Sequence, residues 1–214
     1  MEIQCSAFLF DLDGVLVDSR AVVERTCRRW AARHGLDSET VLRIAHGRRT
    51  RDTVTAVAPH LDLEQEVEWL DNAELVDVDG LAEVPGIRQF LATLPAGSWA
   101  VVTSCGPALA RLRLTAVGLP IPEIVVTSDD VAQGKPSPDG YQLGARRLGH
   151  DAAACLVFED APPGIAAARA AGARVIALST TQPDADFTGA EAVLPDFTGV
   201  RMRRNHGEYV VTIR

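Results

Sequence analysis

The stretch Ala7-Phe8-Leu9-Phe10-Asp11-Leu12-Asp13-Gly14-Val15-Leu16-Val17-Asp18-Ser19 decides how this chain is read. Ala7 to Phe10 is apolar at every position and stops at a turn signal, the pattern of a strand buried on both faces of a parallel sheet. A strand that ends at Asp11 presents its carboxylate at the C-terminal edge, where open α/β sheets bind ligands. Gly14 allows the backbone to turn sharply after the second acid. Asp11 and Asp13 thus stand one residue apart on a rigid support, a candidate metal and acid–base pair. Taken alone, Asp-x-Asp-Gly is also an ordinary turn or helix cap, so the remainder of the chain must decide.

Composition narrows the classes. The 214 residues suit one domain, or a core domain carrying an insertion, and a 47% apolar content provides for a sizeable core. Lys and Arg number 21 against 29 Asp and Glu, a net charge of -8, which argues against nucleic acid or an anionic membrane as the main partner. No apolar run is long enough to span a bilayer, and the first residues lack the basic-then-apolar pattern of a secretory signal. Cys5, Cys27, Cys105 and Cys155 are scattered without metal-like spacing, as in reduced cytoplasmic proteins. A cytoplasmic monomer is the expectation.

Past Ser19 the pattern changes. Residues 20–34, 38–44, 50–58 and 63–76 read as helices, with Gly35 and Pro59 as stop signals, and residues 20–79 contain no strand-like run. Residues 80–86 form the return linker, turning at Pro85-Gly86. Strands over 99–103, 123–127, 155–158 and 174–178 then alternate with helices over 87–94, 108–117, 139–148 and 165–171. A further strand is expected at 192–194, and a hairpin over 199–214 turning at Asn205-His206-Gly207. The expected fold is α/β: a doubly wound, parallel, Rossmann-like sheet with a small α-helical domain inserted after its first strand. Its boundaries are 1–17 and 85–214 for the core and 18–84 for the helical insertion.

Four strands end in polar residues: at Asp11, at Thr103-Ser104, at Thr127-Ser128-Asp129-Asp130, and at Glu159-Asp160. In a parallel sheet all four endings share one edge, and core packing gives no reason for acids to collect there. Thr103-Ser104-Cys105-Gly106 offers hydroxyls and backbone N–H groups at a helix start, which suit a phosphate as well as an N-cap. Lys135 sits in Gly134-Lys135-Pro136-Ser137-Pro138, either a fixed cation for a phosphate or carboxylate, or a solvated loop lysine. Glu159 and Asp160 precede a helix, where they match its dipole or complete a Mg²⁺ site with Asp11. Arg48, Arg49 and Arg51, within the insertion, are either a solvated face or a grip on an anionic substrate. The alanine-rich run 166–171 lets a helix lie close on the sheet.

Together these residues resemble the haloacid dehalogenase superfamily of phosphohydrolases. Four ordered motifs carry the resemblance: Asp11-Leu12-Asp13-Gly14, Thr103, Lys135 in Gly-Lys-Pro-Ser-Pro-Asp-Gly-Tyr, and Glu159-Asp160. The stretches 134–141 and 158–168 look most like the sugar and polyol phosphatases, which include glycerol-phosphate, deoxyglucose-phosphate and hexitol-phosphate phosphatases. The helical insertion looks like the family's mobile cap.

The resemblance implies a small phosphorylated sugar or polyol as substrate and an aspartyl-phosphate route. Asp11 would be the nucleophile, and with an ordinary pKa of about 3.9 it needs no base. Mg²⁺ would be held by Asp11, Asp160 and the Asp13 backbone carbonyl, with Glu159 as a further ligand or a base behind them. Lys135 would add fixed positive charge, and Thr103, Ser104 and Cys105 would line the phosphate site. Asp13 would protonate the leaving oxygen and then activate water. Three rivals stand beside this reading. A β-phosphoglucomutase-like enzyme would carry a histidine on the first cap helix, where Val23 stands here. A true dehalogenase would not need Asp13 or the Glu159-Asp160 pair. A non-catalytic sugar-phosphate sensor would not need the full motif set.

Overall fold

The computed structural model describes residues 1–181, 184–205 and 207–213. Two strands open the chain, β1 (Glu2–Cys5) and β2 (Ala7–Phe10), and a short β3 (Val17–Asp18) leads into four helices. These are α1 (Arg20–His34), α2 (Ser38–Ala45), α3 (Thr50–Val57) and α4 (Leu63–Leu75). The chain returns through β4 (Ala82–Glu83), which pairs antiparallel with β3, so one two-stranded ribbon carries both connections to the helical insert. Then follow α5 (Ile87–Leu91), β5 (Trp99–Val102), α6 (Pro107–Ala116), β6 (Val125–Val126), α7 (Asp139–Arg147), β7 (Cys155–Glu159), α8 (Pro162–Ala170), β8 (Arg174–Leu178) and β9 (Ala192–Leu194). The chain closes with β10 (Val200–Asn205) and β11 (Glu208–Ile213).

The main sheet is parallel, in the order β6-β5-β2-β7-β8-β9. Strand alternation divides its side chains cleanly. Phe8, Phe10, Val101, Leu156, Phe158 and Ile176 share one face, while Ala7, Leu9, Ala100, Val102, Val157 and Val175 share the other. The first face is aromatic. The Phe10 and Phe158 rings stack with centroids 5.1 Å apart, and Phe197 lies 5.0 Å from Phe158. The second face is covered by α7 and α8, whose contact residues are small: Gly144, Ala145, Ala167 and Ala168 are buried. Helices on both faces give the doubly wound α/β fold. The helical insert has its own core, built from Cys27, Trp30, Val41, Leu42, Val54 and Leu70. Its one buried acid, Glu66, accepts from the Trp30 indole N–H at 2.7 Å.

Two local results go beyond the sequence reading. Glu2–Cys5 is a strand, and its Ile3 and Cys5 point inward while Glu2 and Gln4 face out. It pairs with β11 in a separate antiparallel sheet, β1-β11-β10, so its partner is the far end of the chain rather than a neighbour. The strand expected over 123–127 is only Val125–Val126, because Thr127 already caps the turn that follows and donates its N–H and hydroxyl to Asp130 Oδ2 there. β10 and β11 pair antiparallel as the expected hairpin requires; the turn expected at Asn205-His206-Gly207 includes His206, which lies outside the described residues.

Chain order also fixes the crevice. From β2 the chain builds outward through β5 and β6, then crosses to β7, β8 and β9 on the other side. The strand order therefore reverses beside β2, and the crevice opens at its C-terminal end, at Asp11.

Phe158 is fully buried at the centre of the aromatic cluster. Phe158→Ala is expected to lower unfolding free energy by about 3–5 kcal/mol, read from urea denaturation. Val193→Ala on the exposed edge strand should shift it by less than about 0.5 kcal/mol. Equal effects at both positions would show that this face is not the stabilising core.

Candidate active site

The polar endings meet as their register requires. Phe10 is opposite both Val101 and Phe158, and Val102 is opposite Val126, so Asp11, Thr103, Thr127 and Glu159 share one edge. The Asp11 N–H donates to the Phe158 carbonyl at 3.0 Å, and the Thr103 N–H to the Val126 carbonyl at 2.9 Å. Both residues are therefore fixed by the ladder before their side chains do anything.

Behind Asp11 lies a buried charge cluster. Lys135 Nζ donates to Asp11 Oδ1 at 2.7 Å and to Glu159 Oε1 at 2.6 Å. Tyr141 donates to the same Glu159 oxygen at 2.7 Å. The other oxygen, Oε2, accepts the backbone N–H groups of Asp160 and Ala161 at 2.9 and 3.2 Å. Glu159 is 0% exposed and spends both oxygens on four donors. Its close seating needs Gly164, because a Cβ there would run into the Glu159 carboxylate. Gly14 has the same function beside Asp160: its φ is +73°, and a Cβ would meet that carboxylate. Thr181 donates to Asp160 from the other side.

Burial dominates the electrostatics. It pushes Asp11 up to about 7, with Lys135 pulling down and Glu159 and Asp13 pushing further up. Burial also raises Asp160 well above the carboxylate range, helped by Glu159 and Asp11. For Lys135 burial works against the charge, but Asp11 and Glu159 outweigh it and raise the pKa, so the ammonium stays charged.

In front of Asp11 is a cavity between sheet edge and helical insert. Asp11, Asp13, Asp160, Thr103, Ser104, Cys105 and Arg48 all line it. Val23, Cys27, Leu70 and Leu109 supply apolar wall, and Thr50, Thr53 and Glu74 polar wall. Asp13 accepts from Ser19 at 2.6 Å, from the Cys105 thiol at 3.1 Å, and from Arg113. Thr103 Oγ1 accepts the Cys105 N–H at 3.1 Å, and the Ser104 hydroxyl donates across to the Gly47 carbonyl of the insert at 3.1 Å. Burial pushes the Cys105 thiol well up, so it is a neutral donor rather than a thiolate.

The three arginines separate. Arg48 reaches the cavity. Arg49 turns away to Asp52 at 2.7 Å and to the Ala132 carbonyl at 3.2 Å, where it helps to join insert and core. Arg51 pairs with Glu64 at 2.7 Å on an exposed surface.

Sequence reasoning did not single out Tyr141, Thr181, Glu74 or Arg113. Arg113 had left a signal: Leu109, Ala110 and Leu114 mark the buried stripe of α6, and Arg113 falls within it. An arginine on an apolar stripe calls for buried partners.

Hexitol phosphatase A of Escherichia coli (strain K12) is 37% identical over 214 residues, covering 97% of this chain and 99% of the relative. Glycerol-1-phosphate phosphohydrolase 2 of Saccharomyces cerevisiae is 33% identical, covering 94% of this chain and 86% of the relative. Among solved structures, a hydrolase from Pseudomonas syringae superposes with a TM-score of 0.79 at 26% identity, over 90% of this chain and 94% of that one. The family model described as haloacid dehalogenase-like hydrolase matches residues 5–172, the span from β1 to the end of α8 that supplies Asp11, Thr103, Lys135 and Asp160, and the chain belongs to that family of hydrolases.

Proposed function

We propose that this enzyme is a Mg²⁺-dependent phosphatase of small phosphorylated sugars or polyols, working through an aspartyl phosphate on Asp11. One observation carries the reading: Asp11 is backed by Lys135 at 2.7 Å and shares its cavity with Asp13, two residues on. A nucleophile, a fixed cation and an acid–base carboxyl thus address one space. The hexitol and glycerol-phosphate enzymes among its relatives support the substrate class.

The donor set suits a divalent ion. Asp11, Glu159 and Asp160 offer carboxylate oxygens within 4.8 Å of one another, and Mg²⁺ takes a few such oxygens plus waters. Glu159 already satisfies four donors, so Asp11 and Asp160 would hold the ion with the Asp13 backbone carbonyl, and Glu159 would buttress Lys135. When bound, the ion supplies positive charge against the phosphate dianion.

The residues then divide the work. Asp11 attacks phosphorus while Lys135 holds its carboxylate in place. The ester P–O bond breaks, and Asp13 gives its proton to the departing alkoxide. Asp13 next takes a proton from water as that water attacks phosphorus, which releases inorganic phosphate and restores Asp11. Thr103, Ser104 and Arg48 line the same cavity, where Thr103 and Ser104 would receive the phosphate and Arg48 would contact the substrate through a sugar hydroxyl or the phosphate. The insert acts as a cap, its two connections running through the β3–β4 ribbon. Val23 lines the cavity on the first cap helix, where the mutase reading calls for a histidine, and this favours water as the acceptor.

The direct test is phosphate release from hexitol, glycerol and aldose phosphates with Mg²⁺; no release from any of them would end this reading. Asp11→Asn keeps the shape and loses the nucleophile, so turnover is expected to vanish with the fold intact. Wild-type release from an Asn variant shown by mass to be free of deamidation would remove the covalent assignment.

The raised carboxyls make metal binding pH-dependent. Below their raised pKa values Asp11 and Asp160 hold protons that Mg²⁺ must displace, so affinity rises with pH and levels off above them. From pH 8 to pH 6, titration calorimetry should show Kd weakening, at most by about tenfold per pH unit for each proton displaced. A Kd independent of pH over that range would place the ion elsewhere.

Arg48→Ala should lower kcat/KM on the best sugar phosphate by about ten- to a hundredfold, the loss of one charge-assisted hydrogen bond. Arg51→Ala, whose partner is an exposed carboxylate, should stay within about twofold. Wild-type kcat/KM for Arg48→Ala would mean the cap reads its substrate through other residues.

A further inference from the structure

Arg113 is 2% exposed and belongs to the core helix α6, yet its two terminal nitrogens serve two different bodies. Nη1 donates to Asp13 Oδ2, on the loop after β2. Nη2 donates to Glu74 Oε2, on α4 of the insert. Burial works against its charge, but Asp13, Cys105 and Glu74 outweigh that and raise its pKa. It is therefore a permanent cation held between two carboxylates.

The Asp13 carboxylate is held on both oxygens. Oδ1 accepts from Ser19, at the head of the first insert helix. Oδ2 accepts from Arg113 and from Cys105, and Arg113 Nη1 also contacts the Cys105 sulfur at 2.9 Å. Asp13, Glu74 and Arg113 all line the cavity in which substrate must sit. The guanidinium is a rigid planar fork, so the place of one carboxylate fixes the direction offered to the other. If Glu74 moves with the insert, the fork loses one of its two anchors.

We propose that Arg113 is a positioning residue for Asp13 and that Glu74 sets it, so that the proton-transfer carboxyl is aligned only while the insert is seated. Arg113 acts through Asp13, whose carboxyl it holds. The proposal rests on the acid–base role given to Asp13 above, and the experiment separates the two.

The experiment compares kcat/KM on the best alkyl phosphate with that on p-nitrophenyl phosphate. An alkoxide needs a proton to leave, whereas p-nitrophenolate leaves without one. Loss of acid positioning therefore lowers the alkyl-to-aryl ratio, and a general loss of structure does not. Arg113→Ala is expected to lower the ratio at least about fivefold, with Glu74→Gln falling part of the way and Arg113→Lys recovering part of the loss. The Arg113→Ala, Glu74→Gln double variant should fall no further than Arg113→Ala alone, because Glu74 acts through Arg113. Should Arg113→Ala fail to fold, Arg113→Met with Glu74→Leu removes both charges together and is expected to show the same fall.

Asp13→Asn is the reference. If its own ratio is that of wild type, the acid role of Asp13 fails. If its ratio falls while that of the Arg113 variants stays within about twofold of wild type, the positioning role fails. Losses at Arg113 and Glu74 that multiply fully would show two independent residues and overturn the coupling.

Discussion

The Lys135 ammonium between Asp11 and Glu159 is the contact on which the rest of this site depends. Three carboxylates at one buried sheet edge repel one another and lose hydration, which raises the cost of charging each. One buried cation at 2.7 and 2.6 Å from two of them offsets that cost. Its own position is secured through Glu159, which Tyr141 and two backbone N–H groups hold from the remaining sides. The acid nearest the lysine on β7 is thus structural in its contacts, and this leaves Asp11 and Asp160 facing the cavity.

The sheet explains why such a cluster can exist. Parallel strands deliver every C-terminal end to one edge, and the aromatic and small-residue faces hold those ends rigid. Glycines at 14 and 164 let the backbone close over the carboxylates of Asp160 and Glu159. The helical insert brings its own core, so it packs over the edge as a body rather than as a loop. It meets the core through polar contacts, Ser104 with Gly47 and Arg113 with Glu74 at the cavity and Arg49 with Ala132 away from it.

Much of the architecture was legible because it is written in short-range pattern. Alternating apolar runs and helical stretches located β2, β5, β7, β8 and the insert helices, and the ordered motifs pointed to Asp11, Asp13, Lys135 and Asp160. What was not legible depends on direction or on distance along the chain. Three neighbouring arginines share a composition, but Arg48 and Arg49 lie on the chain that leads into α3 and Arg51 in its first turn, so they reach three different environments. Glu74 and Arg113 belong to separate units, so no local window contains the pair. Glu159 and Asp160 look alike in sequence; only their donors distinguish them. β1 escaped notice because its four residues pair with a strand at the other end of the chain.

That last pairing has a consequence for the order in which the molecule assembles. Glu2 lies opposite Thr212, so the edge sheet cannot close until residues 208–213 have been synthesised. Until then Ile3 and Phe8, both fully buried in the finished protein, lack Val211 and Tyr209 as cover. The helical insert, whose own core is drawn from residues between Cys27 and Leu70, has no such wait. During synthesis the insert can therefore be complete while the first strands still expose apolar surface, and it is this early, uncovered N-terminal segment that a chaperone would have most reason to hold.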